Sequence, residues 1–151
     1  MEYTSIEGDV NFNKAVRGVL LGWNHPDVTS GRVASAQTIS GTGALRILSE
    51  FFFKFRPAPI YISNPTWGNH PSIFQAAGIH VRQYRYFHPK TKGLDLEGML
   101  ADLKNATPGS IVLLHSCAHN PSGVDPTLDQ WKKIAEVCHE NKLYPYFDSA
   151  Y

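Results

Sequence analysis

The stretch IVLLHSCAHNPSGVDPTLDQWKKIAEVCHENKLYPYF, residues 111–147, decides the fold class. It opens with an apolar run at Ile111–His115 and closes with another at Leu143–Phe147, and both are typical of buried strands. Between them, residues 128–141 have the apolar spacing of an amphipathic helix, which begins at a capping box over residues 127–130. A strand, a helix and a second strand in this order favour a parallel sheet covered by helices.

The same alternation continues toward the N-terminus. Further strands are predicted at Ile60–Ser63 and Val81–Phe87, with a strand-like run near Ala34–Ile39. The helical patterns that separate them are Gly43–Phe55, Pro71–Ala77 and Leu96–Asn105. We therefore predict a three-layer α/β/α fold with a mainly parallel sheet. Residues 1–30 are expected to form a helical lead-in, and residues 31–151 are expected to belong to the sheet domain.

Composition narrows the class of partner. The 151 residues include 14 basic and 13 acidic side chains, so the near-zero net charge gives no reason to expect nucleic acid or an anionic membrane surface. The longest apolar run, Ile47–Phe53, is too short to span a bilayer. The two cysteines show no disulfide pattern, which favours a reducing, cytoplasmic compartment and leaves a mitochondrial one open. Small molecules are the expected ligands.

Candidate binding residues follow the predicted strands, where ligands collect in sheets of this class. Ser40, Gly41 and Thr42 open a helix, so their N–H groups and hydroxyls suit a phosphate, although an ordinary helix cap has the same composition. Trp67 lies between Pro65 and Gly68, where its indole can lie flat against a planar ligand or simply pack in the interior.

The segment after Ile111–His115 offers two interpretations. His115, Cys117 and His119 alternate and would face one side of a strand, which raises the possibility of a zinc site. A fourth ligand is missing, however, and the residues after Asn120 are typical of a turn. We therefore predict no metal. Asn120 is interpreted as an amide that reaches a ligand, or else as an ordinary turn residue.

Asp148 follows the last predicted strand. A carboxylate at the end of an apolar strand is partly desolvated and needs a cationic or hydrogen-bonding partner. A protonated pyridine nitrogen would satisfy it, and a helix cap or a local salt bridge would do so as well.

Four segments together resemble the aspartate aminotransferases among the fold-type I pyridoxal-phosphate enzymes. They are residues 37–46 (QTISGTGALR), 65–70 (PTWGNH), 115–126 (HSCAHNPSGVDP) and 147–151 (FDSAY), in the family's order and at its spacing. Ser122 stands where the family more often has threonine. The resemblance implies part of the cofactor-binding large domain, with pyridoxal 5'-phosphate as cofactor.

The resemblance also implies roles for individual residues. Ser40, Gly41 and Thr42 would hold the cofactor phosphate, and Trp67 would stack on the pyridine ring. Asn120 and Tyr151 would bond its phenolic oxygen, Asp148 would pair with the ring nitrogen, and Trp67 and Asn120 would also lie near the substrate. His70 and His115 would form a second layer behind the ring and Asp148.

The resemblance further implies an activity and what this chain lacks for it. The complete protein would transfer an amino group between L-aspartate, or a similar amino acid, and 2-oxoglutarate, as a homodimer. The lysine that forms the Schiff base would lie beyond Tyr151, so this chain contains no catalytic residue and is expected to be inactive alone. The alternatives are a non-catalytic chain that only binds partner subunits, and another pyridoxal-phosphate reaction on the same fold.

Overall fold

The computed structural model describes residues 3–151 and divides into two units, one ending at Ile47 and the other spanning Leu48–Tyr151. The first unit contains the helices α1 (Val10–Leu21) and α2 (Pro26–Thr29) and the start of α3 (Ser40–Phe55). Helix α1 lies within the predicted helical lead-in.

One sequence prediction in the first unit is wrong. Residues 31–39, which include the strand-like run Ala34–Ile39, have no strand structure. A strand requires a continuous ladder of hydrogen bonds to a neighbour. Here the main chain of Gln37 instead donates a single bond to the carbonyl of Glu7 (2.8 Å), while its side chain accepts from Asp9 N–H (3.0 Å). The β-rich composition of this run therefore does not produce a strand among the described residues.

The second unit is organised around a four-stranded parallel sheet. Its strands are β1 (Ile60–Asn64), β2 (Val81–Arg85), β5 (Ile111–His115) and β6 (Tyr144–Asp148), in the order β2-β1-β5-β6. Helices α4 (His70–Ala76), α5 (Leu96–Lys104) and α6 (Leu128–Glu140) alternate with these strands. The predicted α/β class with a mainly parallel sheet is confirmed.

Alternation along β5 sends side chains to both faces of the sheet. Val112 and Leu114 belong to a buried cluster with Met99 and Leu103 of α5 and with the apolar face of α6. On the other face, the aromatic rings of Phe52 and Phe74 pack at 5.6 Å and 6.4 Å from Tyr146. Helices thus cover both faces, and every residue of β5 is buried.

The predicted strand Val81–Phe87 is split in the structure. Strand β2 ends at Arg85, and residues Phe87–His88 (β3) turn back to pair antiparallel with Gly93–Leu94 (β4). The intervening Pro-Lys-Thr-Lys segment forms the turn, since Lys92 adopts a left-handed φ of 53° and donates its N–H to the carbonyl of His88 (2.8 Å). The β-rich composition predicted one strand, because periodicity alone cannot show where a chain leaves a sheet.

The predicted capping box is present at the start of α6. Thr127 accepts from Gln130 N–H, and the Gln130 side chain accepts from Thr127 N–H (2.8 Å). Strand β6 pairs only with β5 among the described strands, and its Phe147 is half exposed beside Trp131. No helix in residues 3–151 is both long enough and apolar enough to cross a bilayer.

Candidate functional site

The candidate site lies where β1, β5 and β6 end. These parallel strands run in one direction, so the residues at and after their carboxyl ends meet at the same edge of the sheet. His115 and Asp148 are the last residues of β5 and β6 and stand opposite each other in register. Ser116 N–H donates to the main-chain oxygen of Asp148 (2.8 Å), which extends the pairing by one bond.

The structure brings Trp67, His70 and Asp148 into one cluster. His70 opens helix α4 and is completely buried, and its Nε2 lies 3.0 Å from Asp148 Oδ2. The Trp67 ring meets the edge of the His70 ring, with centroids 5.3 Å apart. Trp67 is half-buried, and the Asp148 side chain keeps 21% of its surface exposed, so both remain reachable from solvent.

A chain of hydrogen bonds with a fixed direction connects Asn120 to Asp148. Asn120 N–H can only donate, and it meets His115 Nδ1 at 3.2 Å, so the proton of neutral His115 is on Nε2. His115 Nε2 lies 3.5 Å from Thr66 Oγ1, which is the longest link. Thr66 Oγ1 in turn lies 2.7 Å from His70 Nδ1.

The other end of the chain confirms this direction. The Asp148 carboxylate can only accept, so His70 donates from Nε2, and in the neutral ring its Nδ1 accepts the Thr66 proton. In their neutral forms, both histidines carry the proton on Nε2. Each hydrogen bond of this chain then has one donor and one acceptor. The arrangement holds the Asp148 carboxylate in one orientation and supplies it with an N–H donor.

Electrostatics keep this carboxylate ionised. The hydrogen bond from His70 is the main cause that holds the pKa of Asp148 below its usual value, against the opposing effect of burial. Burial, followed by the neighbouring His70, lowers the pKa of His115. The site therefore presents an ionised carboxylate that accepts from His70, which suits a ligand with a protonated ring nitrogen.

Asn120 and Tyr151 lie in the segments that follow β5 and β6. The Asn120 side chain is partly buried, and no partner for its amide is found within residues 3–151. An unpaired, half-buried amide is suited to bond a ligand oxygen. Tyr151 is exposed, and its main-chain oxygen accepts from the Cys117 thiol at 3.4 Å. Its phenol makes no contact with the cluster of Trp67, His70 and Asp148 in the described hydrogen bonds and ring pairs.

Ser40, Gly41 and Thr42 lie in the first unit and form the exposed first turn of α3. Ser40 adopts a left-handed φ of 54°, and the first paired N–H of this turn is that of Gly43, bonded to the carbonyl of Ile39 (3.1 Å). The preceding N–H groups of a helix have no acceptor within the helix. Helix α3 therefore begins at Ser40, earlier than the predicted Gly43, and the hydroxyls of Ser40 and Thr42 accompany its N-terminus.

The hydrogen bonds argue against a metal centre. His119 uses both ring nitrogens, with Nε2 at 2.9 Å from Ser63 Oγ and Nδ1 at 2.7 Å from Ser122 Oγ, so it does not share a site with Cys117. Of the described residues, His70, His115 and Asp148 do bring ligand atoms within 4.8 Å of one another. His115 Nε2 carries a proton, however, because Nδ1 accepts from Asn120 N–H, and a protonated nitrogen cannot bind a cation.

Because His119 is buried, we expect the free energy of unfolding to decrease in acid. Burial, followed by the neighbouring His115, lowers the pKa of His119 from 6.5 to about 4, while Asp125 opposes the shift. The unfolded chain therefore binds this proton first, so the stabilising effect is complete above pH 6.5 and is lost as pH falls toward 4. We expect the free energy of unfolding to fall by roughly 2 kcal/mol between pH 6.5 and 4.5 because of this group.

Urea unfolding at several pH values checks this expectation. His119→Gln should flatten the dependence, whereas His139→Gln, which changes an exposed histidine, should leave it as in the native protein. The remaining slope in His119→Gln would include His115, Asp148 and Asp102, whose pKa values are also lowered in the folded protein. Equal slopes for both variants would contradict the assignment.

Sequence reasoning missed Thr66 as a member of the site. Its hydroxyl contacts both His70 and His115, so it connects the segments that follow β1 and β5. The available signal was its position, next to Trp67 and four residues before His70, because a hydroxyl can donate one hydrogen bond and accept another. No sequence pattern placed His115 within reach of it.

Comparison with protein-family models gives one match over the entire chain. The model for "Aminotransferase class I and II" matches residues 1–151. Among curated proteins, the cytoplasmic aspartate aminotransferase of Oryza sativa subsp. japonica is 51% identical over 99% of this chain and 37% of its own length. The chloroplastic aspartate aminotransferase of Arabidopsis thaliana is 52% identical, and the mitochondrial one of Dictyostelium discoideum is 50% identical, each over 99% of this chain. This chain covers 33% and 35% of those two proteins.

Solved structures agree with the fold. An aromatic-amino-acid aminotransferase from Burkholderia pseudomallei, covalently bound to pyridoxal phosphate, superposes with a TM-score of 0.95 and 42% identity over 98% of this chain and 37% of that one. The aspartate aminotransferase from Saccharomyces cerevisiae cytoplasm gives a TM-score of 0.93 and 40% identity over 97% of this chain and 36% of that one. The chain therefore spans about a third of the length of the proteins it matches.

Proposed function

Because this chain belongs to the class I and II aminotransferase family, we propose that it supplies the ring-binding part of a pyridoxal-phosphate site in an enzyme that transfers amino groups. One observation carries the proposal: the buried His70 donates to Asp148 beside Trp67, so an oriented carboxylate lies next to an indole. When bound, the cofactor would supply an electron-accepting heterocycle for chemistry at the carbon that carries the amino group.

The donors present fit this cofactor. Asp148 would hold a proton on the ring nitrogen, because its lowered pKa keeps it ionised at neutral pH. The unpaired amide of Asn120 would donate to the phenolic oxygen, with Tyr151 as a second donor predicted from the resemblance. Trp67 would lie against the face of the ring. For the phosphate, we propose Ser40, Gly41 and Thr42 as ligands, on the basis of the resemblance alone.

The substrates proposed for the complete protein are an amino acid such as L-aspartate and the 2-oxo acid 2-oxoglutarate. Relatives named aspartate aminotransferases at about 50% identity support aspartate as the donor. We further propose a homodimer in the cytoplasm. The homodimer rests on the resemblance, and the cytoplasm is supported by two unpaired cysteines, exposed Cys117 and buried Cys138. Sedimentation of the complete protein and its localisation in cells would check both.

Fluorescence tests the ring-binding role directly. Pyridoxal phosphate should quench the indole emission of the chain in a saturable way. The Trp67→Phe variant should lose most of this quenching, whereas Trp131→Phe, which changes a half-buried indole on α6, should retain it. Equal quenching in the two variants would contradict the placement of the ring beside Trp67. In the complete protein, formation of oxaloacetate from L-aspartate and 2-oxoglutarate tests the reaction itself.

A further inference from the structure

His119 is almost completely buried and has no role in the proposed function. It is 1% exposed, and its ring is stacked on Tyr86 with centroids 3.8 Å apart and an angle of 16° between the planes. On the other side, the His115 ring lies 4.3 Å away, centroid to centroid. His119 therefore supports, from behind, the imidazole that accepts from Asn120 N–H.

The ring nitrogens of His119 join two segments of the chain. Nε2 lies 2.9 Å from Ser63 Oγ on strand β1, and Nδ1 lies 2.7 Å from Ser122 Oγ in the turn after Asn120. The main chain of the same turn is held by Asp125, whose carboxylate accepts from Ala118 N–H (2.8 Å) and His119 N–H (2.9 Å). His119 thus connects the turn that carries Asn120 to strand β1 at the centre of the sheet.

The neighbouring groups decide which nitrogen carries the proton. Ser63 and Tyr84 stand opposite each other in register on β1 and β2, and the Tyr84 phenol donates to the carbonyl of Leu113 (2.8 Å), so its oxygen is free to accept the Ser63 proton. Once Ser63 donates to Tyr84, its oxygen accepts from His119 Nε2–H.

The second end agrees with this direction. Ser122 Oγ accepts from Val124 N–H (3.2 Å), so its proton is available to His119 Nδ1. In the opposite tautomer, His119 Nδ1–H and Val124 N–H would both donate to Ser122 Oγ, and the Ser63 proton would turn to Nε2. The proton of Ser122 and the oxygen of Tyr84 would then have no partner among the described hydrogen bonds. Buried polar groups rarely remain unpaired.

We propose that His119 is a positioning residue, neutral and protonated on Nε2, that holds the His115 ring and the turn of Asn120 in place for the ligand. The donor sequence runs from Ser122 through His119 and Ser63 to Tyr84 and ends on the carbonyl of Leu113. A proton added to Nδ1 would displace the Ser122 donor and place a positive charge 4.3 Å from the neighbouring ring centre. The consequence for ligand binding rests on the proposed function, whereas the tautomer does not.

Nitrogen-15 spectra of the histidine rings in the full chain, recorded without cofactor at pH 7, test the tautomer. We expect one protonated and one unprotonated nitrogen for His119, with the proton on Nε2. A proton on Nδ1, or averaged signals from two tautomers, would overturn the inference and would leave the cofactor titration of the proposed function unaffected. Conversely, an absence of cofactor binding with the expected tautomer would count only against the proposed function.

Two variants test the positioning role. Ser122→Ala removes the donor to Nδ1, so the ring signals of His119 and His115 should shift and mix two tautomers, and the affinity for pyridoxal phosphate should fall about 10-fold through the loss of one hydrogen bond. Ser122→Thr keeps a hydroxyl, so it should retain the native ring signals and an affinity within about 3-fold of the native value. Unchanged His115 signals in Ser122→Ala would overturn the positioning role. If Ser122→Ala does not fold, the native spectrum still tests the tautomer, and altered His119 signals in Ser122→Thr with unchanged His115 signals would overturn the positioning role.

Discussion

Replacement of Asp148 with asparagine is expected to lower the rate of amino-group transfer by about 10²- to 10³-fold in the complete protein, because it removes a preorganised charge from the reacting ring. Asparagine has the size of aspartate and keeps an oxygen that accepts from His70 Nε2–H, so the bond of 3.0 Å can survive. What is lost is the negative charge that would hold a proton on the ring nitrogen. The expected defect is therefore electrostatic, with little change in structure.

A matched control separates charge at the site from charge elsewhere. Asp102 also carries a lowered pKa, because the Arg85 guanidinium donates to its carboxylate, and this pair lies on α5 and β2 outside the candidate site. Asp102→Asn should leave the transfer rate within about 3-fold of native, since this ion pair is solvent-screened and lies outside the cluster of Trp67, His70 and Asp148.

Steady-state kinetics with L-aspartate and 2-oxoglutarate, together with near-ultraviolet circular dichroism, would measure both variants. A rate for Asp148→Asn similar to that of Asp102→Asn would show that Asp148 does not act on the ring. The chain covers only 37% of the rice relative, so this measurement requires the whole protein, while the affinity of the chain for pyridoxal phosphate gives an independent readout.

Replacement of Leu113 with alanine is expected to reduce the free energy of unfolding by about 3 to 5 kcal/mol, the upper part of the range for a buried leucine. Leu113 is completely buried in β5, which lies between β1 and β6, so neighbouring strands restrict how far the structure can collapse around the cavity. A loss of this size is a large fraction of the total stability of an ordinary domain.

Leu128→Ala provides the matched control for this prediction. Leu128 is the first residue of α6 and is 74% exposed, so the same chemical change should cost less than about 0.5 kcal/mol. Urea unfolding followed by far-ultraviolet circular dichroism gives both values. Similar losses in the two variants would mean that β5 does not form the centre of the core.

The regular elements of the second unit were largely predictable from local sequence. Residues Ile111–His115 form a strand with the predicted bounds, and the capping box at Thr127 and Gln130 is present. These features depend on apolar spacing and on hydrogen bonds between close neighbours in the chain, which the sequence displays directly. The prediction of a strand at Ala34–Ile39 was wrong, because a strand needs a partner elsewhere in the chain and local composition does not specify that partner.

The contacts of the site were predictable only in part. The sequence singled out Trp67 and Asp148 separately, each at the end of a predicted strand. Their connection runs through His70, which contacts both. The resemblance had placed His70 and His115 behind the ring, but nothing in the sequence indicated that Thr66 joins these two histidines. Residues 78 positions apart, as His70 and Asp148 are, meet only because parallel strands bring their carboxyl ends together.

By itself, the sequence determined the α/β class and most helix and strand positions, together with the chemical types available at the strand ends. Apolar period, caps and turn residues act over a few neighbours, so they can be read from the chain. The tertiary structure alone decided the strand order, the split of the segment after Val81 and the hydrogen-bond partners of His70, His115 and His119. Those properties arise from groups distant in sequence, whose donors and acceptors must be satisfied together once they are buried.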